Sequence, residues 1–263
     1  MIRVIRSELA RLKNPYYILG GIGLMAALGV LTTTIIFLTA KGGATMVPPG
    51  GRAVSVRVLE AADGMFAGLQ NTASMWGIVA LAIWAIAVTS DYSSGLIRLL
   101  VQAEPSRLRL LGGKAVALTA FTCLATLAMT VAVLVVSPVI ARMAGVSTDA
   151  WGTDLLPAIV GGYLQLTLSA LLWGVVGLFV GVVTRSTGVA IAVGIGYLQV
   201  FEMVVGMVLD SASKWLPGST FSAIALGGSA DMAYGTALLV AAAYAVAALA
   251  IAAVTFRRRD ITA

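Results

Sequence analysis

Long apolar runs alternate with short polar segments along the chain, and this pattern predicts six membrane-spanning helices. A helix needs about 20 mostly apolar residues to cross a hydrocarbon core of roughly 30 Å. Six stretches meet this requirement, and charges or proline and glycine residues bound each of them: Tyr16–Thr39, Ala73–Ser90, Ala115–Ala141, Leu156–Val183, Gly188–Leu209 and Met232–Phe256. The predicted fold class is therefore an all-α, polytopic membrane protein with a single transmembrane domain over residues 1–263.

Composition supports a membrane protein over a soluble one. Hydrophobic residues make up 60% of the chain, charged residues make up 11%, and the mean hydropathy is +1.00. In soluble globular domains, roughly 45–50% of the residues are hydrophobic and about 25% are charged. The chain has no histidine and one cysteine, Cys123. These counts exclude a disulfide framework and catalytic schemes that need an imidazole, and they predict no metal site.

The Lys and Arg residues predict how the spans are oriented. Six spans place both termini on one side of the membrane, and 12 of the 17 basic residues lie on that side. They are Arg3, Arg6, Arg11, Lys13, Arg98, Arg107, Arg109, Lys114, Arg185, Arg257, Arg258 and Arg259. Since basic residues in short loops favour the cytoplasm, both termini are predicted to be cytoplasmic. The net charge of +6 then reflects topology, and the chain lacks the basic domain that nucleic-acid binding needs.

Residues 1–14 form a separate amphipathic segment before the first span. Apolar residues recur every three or four positions from Ile2 to Leu12, so they share one face of a helix, and basic residues occupy the other faces. The Asn-Pro pair at 14–15 ends this helix. A basic amphipathic helix of this kind lies in the lipid interface. The alternative is that these charges serve only as a topology signal.

The segment 91–114 between the second and third spans is more apolar than a simple connector. It contains a predicted short helix, Ser94–Gln102, which is rich in Leu, Ile and Val and ends before Pro105. Apolar residues on a solvent-facing loop indicate a binding partner. The alternative is a helix that folds back onto the lipid surface.

Two longer polar segments, 40–72 and 210–231, are predicted to be external loops. In the first, four apolar residues fit one face of a single helix: Val56, Leu59, Phe66 and Leu69. In the second, the apolar run 221–226 is too short to cross the membrane. This run is therefore predicted to be a re-entrant or interfacial segment.

Glu202 is the charged residue that falls clearly inside a predicted span. Gln199 lies beside it, and Tyr197 lies about one turn away. A charge inside a membrane is costly, so such a residue is a candidate functional group by default. The alternatives are a structural hydrogen bond and a position closer to the membrane interface.

This order of features resembles the permease subunits of type-2 ATP-binding-cassette (ABC) exporters over the whole chain. The outer features are the amphipathic helix that ends at Asn14-Pro15 and the closing sequence Phe256-Arg257-Arg258-Arg259-Asp260-Ile261-Thr262. The loop pattern is an acidic residue, then Gly95-Leu96-Ile97-Arg98-Leu99-Leu100, then Pro105-Ser106-Arg107, then Lys114. Members often carry Glu-x-x-x-Gly-Thr where this chain has Asp91-Tyr92-Ser93-Ser94-Gly95-Leu96.

The resemblance implies roles for several segments. The helix in residues 1–14 would be an elbow along the inner leaflet, and loop 210–231 would hold a gate-like cap. The loop helix would couple to a separate ATPase through Ser94, Gly95, Leu96, Ile97, Arg98, Leu99, Leu100 and Val101. The second and fifth spans would line a substrate pathway, for which the candidate residues are Trp76, Trp84, Tyr197, Gln199, Glu202 and Met203.

The resemblance also implies partners and a location. Two ATPase subunits and a second permease, identical or related, would complete the complex in a bacterial plasma (inner) membrane, in contact with its lipids. The complex would export an amphipathic drug, a lipid or a peptide. The alternatives are a proton-coupled secondary transporter that uses Glu202 and a membrane scaffold that does not transport.

No enzymatic activity is expected of the chain itself. A phosphate-binding Walker A loop has the pattern Gly-x-x-x-x-Gly-Lys-Ser/Thr. The nearest sequence, Gly112-Gly113-Lys114-Ala115, lacks both the spacing and the hydroxyl. No cofactor is therefore expected on this chain, and ATP with Mg would bind to the partner ATPase.

Overall fold

A computed structural model describes residues 2–13, 15, 18–42, 53–104, 106–152 and 155–258, and these residues are almost entirely helical. The α-helices in order are α1 (Ile2–Leu12), α2 (Leu24–Lys41), α3 (Val56–Glu60), α4 (Ala67–Asn71), α5 (Ala73–Ser93), α6 (Leu96–Ala103), α7 (Arg107–Ala144), α8 (Leu155–Thr184), α9 (Thr187–Gly196), α10 (Glu202–Val208), α11 (Asp210–Ser213), α12 (Pro217–Ala225) and α13 (Tyr234–Arg258). Two π-helical segments, Ile18–Gly23 and Tyr197–Phe201, lie directly before α2 and between α9 and α10.

Five helical segments of the described residues are long and apolar enough to cross a membrane. They are Ile18–Lys41, Ala73–Ser93, Arg107–Ala144, Leu155–Thr184 and Tyr234–Arg258. They coincide with the first, second, third, fourth and sixth predicted spans. The chain is therefore a helical protein with the segments of a multi-pass membrane protein.

The predicted span Gly188–Leu209 has a different structure from the other five. The backbone is helical throughout residues 187–208, but the π-helical segment Tyr197–Phe201 divides it into α9 and α10. Each piece is shorter than a membrane-spanning helix. A π-helical turn widens the helix and breaks the regular hydrogen-bond register, and hydrophobic periodicity does not reveal such a turn.

Helices α5 and α8 pack against each other at the centre of the bundle. Trp84 of α5 and Trp173 of α8 are almost fully buried between them. Each indole lies against a glycine of the facing helix, because a Cβ atom on Gly174 would come 2.5 Å from the Trp84 ring and one on Gly77 would come 2.5 Å from Trp173 Nε1. Small residues let two backbones approach closely, and here they make room for the largest side chains of the core.

The segment before α5 is not the single helix that the apolar spacing predicted. It consists of α3, a 3-10 turn at Gly64–Phe66, and α4. Leu59, Phe66 and Leu69 are buried, but Val56 is 36% exposed. The chain leaves the helix after Glu60, where Trp151 Nε1 donates a hydrogen bond of 2.8 Å to the Leu59 carbonyl oxygen. This bond satisfies a carbonyl that a continuing helix would have used itself.

The ends of the bundle differ from the predicted loop boundaries as well. Helix α5 continues through Asp91 to Ser93, and α7 already begins at Arg107. Only α6 and the residues that flank it therefore lie between the two long helices. We call this end of the bundle the α6 end, and we call the opposite end, which carries α12, the α12 end.

Candidate functional site

Helix α6 has one face against the bundle and one face away from it. Ile97 is buried, and Leu100 and Val101 pack on the buried core. Leu99, in contrast, is 62% exposed. The other predicted coupling residues divide in the same way: Leu96 is partly buried, and Ser94, Gly95 and Arg98 are exposed. Of the three leucines in this helix, Leu99 is the one that offers its side chain to another molecule.

The inner face of α6 is held by three other helices. Ile97 and Leu100 line one small pocket together with Val4 of α1, Leu111 of α7 and Phe256 of α13. A second contact joins the base of α7 to the last helix, because Arg107 Nη1 donates hydrogen bonds of 3.3 Å to the carbonyl oxygens of Phe256 and Arg257. A cation at the end of a helix also complements its dipole. The α6 end is therefore one packed unit.

Four charged side chains form a closed cluster beside α6. Lys114 Nζ lies 2.9 Å from Glu8 Oε2 and 2.8 Å from Asp91 Oδ2, and it donates a hydrogen bond of 2.9 Å to the Ala87 carbonyl oxygen. Arg11 Nη1 lies 2.9 Å from Glu8 Oε1 and 3.1 Å from Asp91 Oδ1. Each carboxylate thus contacts both bases, and the charges balance. We call these four residues the charge quartet.

Burial makes the charge quartet energetically important. The side chains of Glu8, Asp91 and Lys114 are 7%, 3% and 10% exposed, and that of Arg11 is 36% exposed. Burial by itself lowers the pKa of the Arg11 guanidinium. The neighbouring carboxylates of Asp91 and Glu8 together raise this pKa by more than burial lowers it, so it lies above the ordinary value. Removing one partner from a buried ion cluster leaves an uncompensated charge, which costs far more than the cluster contributes. The charge quartet therefore ties α1 to α5 and α7.

The sequence did not show this cluster, although it contained a signal. Asp91 and Lys114 delimit the predicted loop segment 91–114, because charges usually bound a span. In the structure both lie inside long helices, where they neutralise each other. Glu8 was missed. It is the one acidic residue before Glu60, and an isolated acid in a basic helix is the feature that could have pointed to a buried partner.

A cavity of about 340 Å³ lies between the long helices, α12 and the π-helical segment. Its walls are mostly apolar, and they include Trp173, Phe179, Tyr197, Pro217 and Tyr244. Small-molecule sites typically enclose about 300–1,000 Å³, so the cavity suits a small apolar group.

The predicted pathway residues are dispersed. Of these residues, Tyr197 lines the cavity, whereas Met203 is 54% exposed on α10. Trp76 and Trp84 are 0% and 2% exposed and lie in the packed core. Their indole groups donate to the Leu69 carbonyl oxygen at 3.1 Å and to Thr122 Oγ1 at 2.9 Å. The side chain of Gln199 lies outside the described part of the structure.

Glu202 points toward α12. Its Oε1 atom accepts a hydrogen bond of 2.8 Å from the backbone N–H of Gly218. The Tyr197 hydroxyl and the backbone of Ser219 lie beside the carboxylate as well. A carboxylate is an acceptor of several hydrogen bonds, and the Gly218 N–H fills one of these positions. Trp173 and Tyr244, which sequence reasoning did not select, line the cavity instead, and only their long-range packing brings them there.

Comparison with models of protein families identifies a match. The family model described as "Protein of unknown function (DUF2705)" matches residues 50–262. The search of the curated proteins found no match. The matched range covers most of the chain and includes α5 to α13, which contain the loop helix, the cavity and Glu202. The chain belongs to the DUF2705 family of proteins of unknown function.

Proposed function

We propose that this chain is the transmembrane subunit of an ABC exporter and that α6 is the helix that couples it to a separate ATPase. The observation that carries the proposal is the division of α6. Its inner face is fixed on the bundle by Ile97 and Leu100, and its outer face presents Leu99 at 62% exposure. A helix that is packed on the bundle and exposes one leucine is suited to bind a partner and to transmit its movement to the bundle.

The surroundings of Leu99 favour a protein partner over the lipid surface. Arg98 and Gln102 are exposed on the same short helix, and Ser94 is exposed just before it. A helix that lies on lipid buries a broad apolar face, whereas the apolar face of α6 is already used inside the chain. A mixture of one leucine with polar residues is typical of a protein interface.

The proposed complex contains six spans in each permease. The divided segment 187–208 would be the fifth span, α1 would be the elbow in the inner leaflet, and both termini would be cytoplasmic. Helix α10 has no buried residues, and Phe201 and Met207 are 51% and 75% exposed. We place a second permease copy, identical or related, against this face, and bilayer lipids against the remaining apolar surface.

The cavity suggests how the substrate is handled. An amphipathic drug, a lipid or a peptide carries an apolar part that fits between Phe179 and Tyr244, which line the cavity. Motion of the coupling helix would reach this region through α5 and α7, which the charge quartet joins to α1. A proton-coupled mechanism through Glu202 is less consistent with the geometry, because its carboxylate already accepts a hydrogen bond from the backbone N–H of Gly218.

The test compares two changes that add the same charge to α6. Leu99→Glu removes the exposed leucine and places a carboxylate at its position, whereas Gln102→Glu adds a carboxylate at a neighbouring exposed position. The tagged chain would be purified from its native membrane in mild detergent, and ATP hydrolysis, vanadate sensitivity and labelling by a photoreactive ATP analogue would be measured.

We expect a labelled ATPase subunit with the wild-type chain and with Gln102→Glu, and its loss with Leu99→Glu. Burying one leucine contributes about 1.5–3 kcal/mol, which corresponds to a loss of at least tenfold in affinity. Leu100→Glu is the control for folding, since Leu100 packs on the core and its replacement should reduce the yield of folded protein. Absence of ATP-labelled protein and of ATP hydrolysis from the wild-type preparation would contradict the proposal.

A further inference from the structure

Helix α12 begins without a capping side chain of its own. The residue at its N-cap position is Leu216, and Pro217 follows as the first helical residue. Leucine has no acceptor and proline has no N–H, so the backbone N–H groups of Gly218 and Ser219 need acceptors from elsewhere. An unpaired backbone N–H group in a buried position is costly.

Glu202 of α10 supplies the missing acceptor. Its carboxylate accepts a hydrogen bond of 2.8 Å from the backbone N–H of Gly218. The approach is so close that a Cβ atom on Gly218 would overlap the carboxylate. A negative charge at a helix N-terminus is also stabilised by the helix dipole. Glu202 thus acts as the N-cap of a helix that lies 16 residues further along the chain.

The cap contact lies beside the cavity. Pro217, at the start of α12, and Tyr197, whose hydroxyl lies beside Glu202, both line the cavity. A second contact holds the chain just before α12, because the Tyr244 hydroxyl donates a hydrogen bond of 2.9 Å to the Trp215 carbonyl oxygen. The position of the first turn of α12 therefore determines the shape of the cavity wall at the α12 end.

We propose that Glu202 is a positioning residue that caps α12 from another helix and thereby fixes the wall of the cavity at the α12 end. Loss of the cap frees the first turn of α12 and opens the cavity to water from that side. The inference does not depend on the proposed transport function, since its test needs neither an ATPase nor a substrate.

The experiment measures access to the cavity. A single cysteine is placed by Ala248→Cys, on the cavity wall, in a Cys123→Ala background. A charged, membrane-impermeant thiol reagent is applied to vesicles of each orientation, and the labelling rate is measured. Loss of an N-cap corresponds to roughly a two- to thirtyfold shift in an opening equilibrium. We expect Glu202→Ala to raise the labelling rate about tenfold from one side only.

Three further variants separate capping from general damage. Glu202→Gln keeps an oxygen for the Gly218 N–H, so its labelling rate should stay near that of the wild type. Gly218→Ala displaces the carboxylate and should raise the rate as Glu202→Ala does. Gly196→Ala is its matched control, because nothing lies within 4 Å of a Cβ atom there, and its rate should not change.

The double variant Glu202→Ala with Gly218→Ala completes the test. Since both changes break the same contact, their effects should not add, and the double variant should label like Glu202→Ala alone. Additive effects, a wild-type rate in Gly218→Ala, or equal rates in Glu202→Ala and Glu202→Gln would each overturn the proposal. If Glu202→Ala does not fold, the labelling rates of Gly218→Ala and Gly196→Ala are compared instead. Equal rates in these two variants would overturn the proposal.

Discussion

The two ends of the bundle hold carboxylates in opposite ways. At the α6 end, the buried Glu8 and Asp91 are paired with Lys114 and Arg11, and full charges neutralise each other. At the α12 end, Glu202 is partly buried, and its carboxylate accepts a hydrogen bond from the backbone N–H of Gly218. The first arrangement joins three helices through side chains. The second joins two helices through a side chain and a backbone.

This difference determines how each end responds to change. Removing one member of a neutral ion cluster leaves a buried charge without a partner, which is strongly unfavourable. Removing a carboxylate from a helix N-terminus leaves uncharged N–H groups, which costs less. We therefore expect the α6 end to be the more rigid and the α12 end to be the more readily opened.

The largest effect should follow Lys114→Met, which leaves two buried carboxylates with Arg11 alone. Loss of one partner from a buried ion pair costs about 3–5 kcal/mol, which would lower the apparent melting temperature by roughly 10 °C. Fluorescence-detected gel filtration after heating measures this temperature. Arg109→Met is the matched control on α7, because Arg109 is 63% exposed and lies 3.6 Å from Glu104. An equally large fall in the melting temperature of Arg109→Met would contradict the role of the charge quartet.

Removing a second member of the charge quartet should restore part of the stability that Lys114→Met loses. Asp91→Asn together with Lys114→Met removes one acid and one base, and the remaining Glu8 and Arg11 are still paired at 2.9 Å. We expect the double variant to melt at a higher temperature than Lys114→Met alone, as coupled charges are non-additive. Simple addition of the two losses would mean that these side chains do not interact.

The same chemical change at both ends tests the comparison directly. Glu8→Gln leaves the two bases with one carboxylate, whereas Glu202→Gln leaves no unpaired charge and keeps an acceptor for Gly218. Glu8→Gln should therefore lower the melting temperature clearly, because it leaves a base without its partner, whereas Glu202→Gln should lower it little, because its amide oxygen still accepts the Gly218 hydrogen bond. Equal losses would show that the two carboxylates are held equally firmly.

The smallest effect is expected for Tyr244→Phe. It removes the hydroxyl that donates to the Trp215 carbonyl oxygen at 2.9 Å, a single neutral hydrogen bond. Such a bond contributes about 0.5–1.5 kcal/mol, so the melting temperature should fall by a few degrees at most. The labelling rate of Ala248→Cys is the more sensitive measurement, and it should rise slightly. A change larger than that of Glu202→Ala would assign the main contact to Tyr244.

The apolar runs predicted the five helical segments that are long enough to cross a membrane, because run length is a local property. A stretch such as 155–184 must be helical in a bilayer, since only a helix satisfies its backbone hydrogen bonds within the segment. The same reasoning could not locate the π-helical turn before Glu202, because the turn changes the hydrogen-bond register without changing hydropathy. Likewise, the apolar spacing from Val56 to Leu69 did not reveal the break after Glu60.

By itself, the sequence determined an all-helical chain with membrane-spanning segments and a short apolar helix between the second and third of them. Only the tertiary structure decided which charges meet. Glu8 and Lys114 are 106 residues apart, and Glu202 caps a helix in a different segment. The burial of apolar surface depends on the composition of a short stretch of the sequence. An ion pair or a helix cap instead requires the packing of whole helices to bring two specific groups within about 3 Å of each other.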